Sequence, residues 1–334
     1  MKKAGRLKMN PLMNDVKEIF NLINNSKKIC IAGHKAPDGD CIGSVMALYE
    51  FLKSINKKNL AVYIDGSIPF NYKPLVDESV ISTEYDGEEF DLLVVLDCSD
   101  LGRLGKFTDV FSHSSKTICI DHHKTNEGYA DINVIDPSMS STGELLYDIL
   151  KISGYEISQQ VATFIYVAIL TDTGKFSYSS TTGDTHRKTA DLMDLGVDAS
   201  HVDNIVYNSK PANVVKAYID CISGIELYYK NKFGITSITR DILEKNNTDM
   251  NDIDGVVEFI RGIKEVEVSC VLKEYEDCNT KVSLRSKNNI DVSKISEKFG
   301  GGGHAKAAGF EINDTVKNSK SLLVETFKEY FGEK

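Results

Sequence analysis

His34-Lys35-Ala36-Pro37-Asp38-Gly39-Asp40-Cys41-Ile42-Gly43-Ser44 follows the apolar run Ile29-Cys30-Ile31-Ala32 and precedes a helical pattern at Ile42, Val45, Met46, Tyr49 and Leu52. This order predicts strand, tight loop, helix. Pro37 and Gly39 supply turn chemistry on either side of Asp38, so His34, Asp38 and Asp40 can converge on one point. Such a point suits a divalent cation. Imidazole and carboxylates at the carboxyl end of a strand serve a borderline-hard metal such as manganese, and no thiol is needed. A blander alternative stays open on this stretch alone, namely a turn whose aspartates cap the following helix.

Working outward, Leu60–Ile64, Leu92–Leu96 and Thr117–Ile120 are further short apolar runs without helical period, and helical patterns lie around 42–55, 142–152 and 159–171. The alternation predicts an α/β fold, a mostly parallel sheet with helices on both faces. Ser141-Thr142-Gly143-Glu144 has the spacing of a capping box and Ser158 is placed to cap the next helix, so these hydroxyls call for no catalytic explanation. Thr185–Leu195 reads as a helix stopped by Gly196. Lys210-Pro211 breaks a helical region, and beyond about residue 217 come paired strands: Ile225–Tyr229 with Gly234–Thr239, then Val266–Lys273 with Thr280–Arg285. The expected division is a first domain at 12–197, a linker at 198–216 and a smaller mixed α/β domain at 217–334. The first eleven residues read as an extension.

Three more acidic stations fall in the first domain. Asp97 ends Leu92-Leu93-Val94-Val95-Leu96, a run apolar enough to be buried on both sheet faces, so its carboxylate emerges at the carboxyl edge. Asp121-His122-His123 does the same after Thr117-Ile118-Cys119-Ile120. Adjacent histidines point to opposite faces, so one can ligate a metal while the other reaches elsewhere. Asp172 closes the apolar helix Val161–Leu170, where the helix dipole disfavours a carboxylate that has no cation to answer it. Asp97 alone reads equally as a structural cap, and Asp172 alone reads rather more as one. Four stations ending at one edge make coincidence a poor account.

Composition narrows the class. The chain has 334 residues, enough for two domains, and a net charge of −10, which argues against a broad face for long duplex nucleic acid. Short anionic ligands at a local basic site are compatible with it. No apolar run is long enough to span a membrane and Met1-Lys2-Lys3-Ala4-Gly5-Arg6 is not a signal-peptide start, so the expected location is the cytoplasm. The seven cysteines are scattered without a CxxC pair, and reduced, packed thiols are expected. His113, His186 and His201 lack metal-ligand spacing and read as surface residues. Near the end, Phe299-Gly300-Gly301-Gly302-Gly303-His304 runs directly into the strand pattern Ala307–Ile312, which a flexible linker seldom does. Successive glycines let backbone N–H groups approach an anion.

The set Gly33 to Ser44, Asp97 in Val95-Leu96-Asp97-Cys98-Ser99-Asp100, Asp121-His122-His123 and Asp172 in Ile169-Leu170-Thr171-Asp172-Thr173-Gly174 resembles the DHH phosphoesterase superfamily. The glycine run ending in His304 resembles its associated C-terminal domain. By this resemblance His34, Asp38 and Asp97 hold one manganese while Asp40, Asp97, His122 and Asp172 hold a second, with magnesium or cobalt as substitutes. Asp97, Asp121 and His123 are then the catalytic residues, Asp121 behind the ligands and His123 on phosphate. Arg103 in Leu101-Gly102-Arg103-Leu104-Gly105, Arg285, Gly301, Gly302, Gly303 and His304 would grip substrate, Arg103 having a loop salt bridge as its alternative.

Two cations about 3.5–4 Å apart would share a water, lower its pKa and offer hydroxide for in-line attack on phosphorus. The resemblance implies a phosphodiesterase of the 3′–5′ exoribonuclease type, with substrate in the cleft between two domains. Its expected substrates are short oligoribonucleotides, cut to mononucleotides, and 3′-phosphoadenosine-5′-phosphate, cut to AMP. Cyclic di-AMP or linear di-adenylate hydrolysis within the same family is the alternative, and a non-catalytic nucleotide-binding module a more distant one. Relatives of this kind often dimerise through the first domain, so a homodimer is open.

Overall fold

The computed structural model describes residues 4–276 and 278–332. Two compact units, Met1–Ser209 and Lys210–Lys334, make up the chain. The first holds strands β1 (Lys28–Ala32), β2 (Asn59–Tyr63), β3 (Ile81–Ser82), β4 (Leu92–Leu96), β5 (Thr117–Asp121) and β6 (Ile132–Ile135). All their pairings are parallel, in the order β3-β2-β1-β4-β5-β6. The order reverses between β1 and β4, and in open α/β sheets the crevice beyond the strand ends at such a switch point is where ligands bind.

Helices α1 (Ala4–Asn25), α2 (Gly39–Ser54), α3 (Asp109–Ser112), α4 (Thr142–Ser153), α5 (Gln159–Asp172), α6 (Gly183–Asp194) and α7 (Ala199–Asn208) complete the unit. All five residues of β4 are buried. Leu92, Val94 and Leu96 join the core built with α1, α2, α4 and α5, while Leu93 and Val95 join a smaller core with Leu104, Phe107 and Val110. The sheet is thus covered on both faces, thickly on one, thinly on the other.

Three glycines decide how closely the helices approach. A methyl on Gly39 would lie 2.4 Å from Thr171 Oγ1, on Gly43 2.6 Å from the Phe164 carbonyl oxygen, and on Gly143 2.3 Å from Ala168 Cβ. α2 and α4 are therefore pressed on α5, which brings their first turns to the end of α5 where Asp172 sits. Gly43→Ala is expected to cost about 1–3 kcal/mol, the usual penalty for overpacking, read as a lower urea midpoint at unchanged slope.

The first eleven residues were expected to be an extension; Ala4 onward forms the start of α1, and residues 1–3 lie outside the described residues. The stretch 198–216, expected to be a linker, is mostly helical. Asp198 caps α7, whose Val202 and Val206 are buried in the first unit's core, an i, i+4 pair too short to stand out in the sequence. Ser141 caps α4 by accepting from the Glu144 N–H at 3.0 Å, but only this half of the expected capping box forms. The Glu144 carboxylate accepts from the Ser140 N–H and hydroxyl instead.

The second unit contains α8 (Ala212–Ser223), β7 (Glu226–Tyr228), β8 (Phe233–Ile238), α9 (Arg240–Asn246), α10 (Val256–Gly262), β9 (Val268–Glu276), β10 (Asn279–Ser286), α11 (Val292–Glu297), β11 (Gly302–His304), β12 (Ala307–Ile312) and α12 (Val316–Phe331). Its sheet runs β11-β12-β10-β9-β8-β7, antiparallel except for β8 with β9. Leu284, Val282, Cys270 and Phe310 pack on α11 and α12 on one face. Val271 and Ile238 pack on α8 and α10 on the other. No helix among the described residues is long and apolar enough to cross a membrane.

Candidate active site

β1 is followed by Gly33-His34 and β4 by Asp97, while β5 ends in Asp121 and is followed by His122-His123, all at the carboxyl edge beside the switch point. The loop after β1 carries Asp38 and Asp40 into the first turn of α2. Asp38 Oδ1 accepts from the Asp40 and Cys41 N–H groups at 3.1 Å, so the helix cap of the blander alternative is real and coexists with the cluster. Asp97 has φ of 56°, a left-handed conformation that aspartate tolerates better than most residues and that turns its side chain out of the strand's alternation.

Three overlapping groups of side chains lie close enough to hold metal ions: His34, Asp38 and Asp97; Asp40, His122 and Asp172; and Asp97, His122 and His123. His34 Nε2 is 3.6 Å from Asp38 Oδ1 and 3.4 Å from Asp97 Oδ2. His122 Nε2 is 3.6 Å from Asp40 Oδ2, 3.8 Å from Asp97 Oδ1 and 3.4 Å from Asp172 Oδ2. In both imidazoles Nδ1 faces a backbone carbonyl, Lys35 for His34 at 2.9 Å and Met139 for His122 at 3.3 Å. That contact can hold a proton on Nδ1, so Nε2, turned to the carboxylates, is the nitrogen that would ligate a cation once its own proton has gone.

The electrostatics ask for positive charge. His34, Asp40 and Asp97 are each only 2% exposed. Burial, then repulsion from Asp97, Asp172 and Asp38, pushes the Asp40 carboxyl well above the usual range. Burial together with repulsion from Asp38 and Asp97, against the pull of His122, pushes Asp172 up to about 6. Burial opposes protonation of His34, yet hydrogen bonding and attraction to Asp38 and Asp97 push it up to about 10. Carboxylates and imidazoles crowded this way fit hard or borderline divalent cations, and a cation would relieve the repulsion that now raises Asp40 and Asp172.

Asp121 is fully buried and belongs to none of the three groups, lying behind His123. It accepts from His123 Nδ1 at 2.7 Å, from Asn126 Nδ2 at 2.7 Å, and from the His122 and His123 N–H groups. These bonds outweigh burial and hold Asp121 below the usual carboxylate range, while the Asp121 hydrogen bond raises His123. The two histidines were expected to serve opposite faces; instead their rings lie 4.8 Å apart and His123 Nδ1 is also 3.5 Å from Asp97 Oδ1. Arg103 has a buried Nε with no hydrogen-bond partner among the described residues, and its charge helps to lower Asp38 and opposes the rise of His123. Its backbone carbonyl accepts from the Lys35 N–H at 2.6 Å, which ties its loop to the one after β1.

Sequence reasoning missed the first turn of α4. Thr142 and Gly143 donate their N–H groups to Asp40 at 2.7 and 3.0 Å, and the Thr142 hydroxyl donates to Asp97 Oδ1 at 3.0 Å. The sequence called for no catalytic explanation of these hydroxyls; Ser141 serves as the cap, and the Thr142 hydroxyl in addition reaches Asp97. A signal was present, since a helix N-terminus is an anion site and Asp40 is the anion.

In the second unit the glycine run is no linker: Gly302–His304 form edge strand β11, in register with β12. A methyl on Gly301 would lie 2.3 Å from the Gly309 carbonyl oxygen and one on Gly303 2.5 Å from that of Ala307, whereas nothing lies within 4 Å of one on Gly302. Gly302, Gly303 and His304 are exposed. Arg285 stands opposite Ala307, and Ala307 opposite His304, so the three share one cross-strand row. Arg285 Nε donates to Glu258 Oε1 at 3.1 Å, an ion pair the sequence did not suggest.

Comparison with known proteins assigns both units to known domain families. Residues 28–169 match the DHH family N-terminal domain and residues 231–333 match the DHHA1 domain. The chain is 32% identical over 284 residues to the "Bifunctional oligoribonuclease and PAP phosphatase NrnA" of Thermus thermophilus, covering 84% of this chain and 83% of that one. It is 29% identical over 301 residues to the protein of the same name from Bacillus subtilis, covering 88% and 92%. The solved structure of an exopolyphosphatase-related protein from Bacteroides fragilis superposes with a TM-score of 0.87 at 28% identity, covering 96% of this chain and 98% of that one. Phosphoesterases of the family are metal-dependent, and the clusters around Asp97 are of the kind that could bind metal. The chain therefore belongs to the DHH family, as a hydrolase of its phosphoesterase group that carries the DHHA1 domain.

Proposed function

We propose that this protein hydrolyses short oligoribonucleotides to mononucleotides and 3′-phosphoadenosine-5′-phosphate to AMP, using two divalent cations with manganese preferred. The observation that carries the reading is the pair of side-chain groups joined through Asp97 at the switch point, supported by likeness to two proteins named for these activities. In this reading His34, Asp38 and Asp97 hold one cation, and Asp40, Asp97, His122 and Asp172 the other. Bound there, the cations supply a water of lowered pKa and neutralise charge on the phosphoryl group.

The chain's own residues do the rest. Lys35 and Met139 carbonyls fix the imidazoles with Nε2 forward. Asp121 holds His123 by Nδ1 and raises its pKa, so that Nε2–H remains to donate to a phosphoryl oxygen or to the leaving oxygen. Arg103, with its unpaired buried Nε, is the second donor for phosphate. In the second unit, β11 and the Arg285–His304 row are the groups offered to an anionic ligand.

A product time course with manganese and three substrates tests this: a short RNA, 3′-phosphoadenosine-5′-phosphate and cyclic di-AMP. Stepwise conversion of the RNA to mononucleotides with the cyclic compound untouched is the expected result. Strong preference for the cyclic or linear di-adenylate would replace the substrate assignment and leave the chemistry standing. The grip has its own test in a pair of neighbours. Gly302→Ala is expected to fold normally and raise KM several-fold, since its methyl enters open space, whereas Gly301→Ala collides with the β12 backbone and lowers stability.

A further inference from the structure

We propose that Lys188, on α6, is a positioning residue for the candidate centre, acting through Glu144 on the segment 139–144. The inference rests on the metal reading only in part, because what it concerns is how that segment is held. From this one segment come the Met139 carbonyl at His122 Nδ1, the Thr142 and Gly143 N–H groups on Asp40, and the Thr142 hydroxyl on Asp97. Three of the converging side chains thus take their orientation from six consecutive residues.

Lys188 holds both ends of that segment. Its Nζ donates to Glu144 Oε1 at 3.0 Å and lies 3.5 Å from Met139 Sδ, with Asp148 Oδ2 at 2.7 Å as a further acceptor. The other Glu144 oxygen accepts from the Ser140 N–H and hydroxyl and from the Thr185 hydroxyl at 3.1 Å, closing the turn onto α6. Lys188 is 7% exposed and Glu144 2%. A buried ion pair is weak evidence for stability, since desolvation offsets much of its attraction, and its best-attested use is to fix one arrangement among several. Here the arrangement it fixes is a loop that carries backbone donors to two carboxylates and an acceptor to one imidazole. Neither Lys188 nor Glu144 touches the converging groups directly, so they act only through the segment.

The test uses Lys188→Met and the conservative Lys188→Arg in the full chain. Isothermal titration of the metal-free protein with manganese is expected to show affinity about 10–100-fold lower for Lys188→Met, the range seen when groups that orient metal ligands are lost, and restored in large part by Lys188→Arg. Nitrogen NMR of the histidine side chains, recorded without metal, reads the His122 Nδ1–H held by the Met139 carbonyl. It is expected as one slowly exchanging signal in the natural protein and as a broadened, rapidly exchanging one in Lys188→Met. Wild-type affinity and Nδ1–H exchange in a Lys188→Met protein that has merely lost thermal stability would overturn the proposal. If that variant does not fold, Glu144→Gln, which keeps shape and removes the charge, goes through the same two measurements: weakened affinity with rapid Nδ1–H exchange supports the proposal, and wild-type values for both overturn it. If the natural protein takes up no divalent cation, the proposed function fails, and the Nδ1–H comparison still decides the role of Lys188.

Discussion

Asp97→Asn is expected to lower phosphoester hydrolysis by at least about a thousandfold, about 4 kcal/mol of transition-state stabilisation at 1.36 kcal/mol per tenfold. Asp97 faces His34 with one oxygen at 3.4 Å, and His122 and His123 with the other at 3.8 and 3.5 Å, so it alone joins the His34–Asp38 group to the His122–His123 group. An amide keeps its volume and can still accept from the Thr142 hydroxyl, but it lacks the charge that would bridge two cations. The choice of asparagine follows from the backbone. At φ of 56° asparagine is tolerated at least as well as aspartate, whereas alanine would add strain and confuse loss of chemistry with loss of fold. The measurement is kcat with each substrate at saturating metal, beside the circular dichroism spectrum and melting temperature. Activity within tenfold of wild type in a folded Asp97→Asn protein would remove Asp97 from the centre of the chemistry.

The residues that converge were legible because they sit at boundaries the sequence marks strongly. β4 is buried on both faces, so its apolar run stops abruptly at Asp97, and α5 is apolar up to Asp172. What supports them was not legible, because it depends on contacts between distant stretches. Thr142 and Asp40 are 102 residues apart, Lys188 and Glu144 44, and no local pattern announces either pair. Thr142 also hid behind a sufficient explanation, since a residue in a helix start needs no second role. The first helix went unread for no such reason, because its signal is wholly local: Val16, Ile19, Phe20 and Ile23 in α1 form a plain i, i+3, i+4, i+7 stripe, all buried. β11 is the opposite case. A run of glycines has neither side-chain alternation nor strand propensity, and only pairing with β12 makes it a strand.

Removal of divalent metal is expected to lower thermal stability by an amount that grows with pH. The sign follows from the two groups with the clearest shifts. His34 rises from 6.5 to about 10, so in the metal-free protein its contribution to stability is complete below pH 6.5 and is lost as pH rises through 10. Asp172 rises from 3.8 to about 6, so its contribution is complete below pH 3.8 and lost as pH rises through 6. Both make the metal-free protein less stable toward alkaline pH, and in both the proton stands where a cation would. A cation that replaces those protons stabilises most where they have gone: at a hundred times its dissociation constant it contributes about 2.7 kcal/mol, several degrees in Tm for a chain of this size. Below pH 6 protons on Asp172 and Asp40 compete with it and the increment shrinks. Calorimetric scans with chelator and with manganese at pH 5.5, 7 and 8.5 give the increment directly, and taking the difference cancels titrating groups far from the centre. An increment that is flat, or larger at pH 5.5 than at 8.5, would mean that the cation does not replace protons held by these residues and binds elsewhere on the molecule.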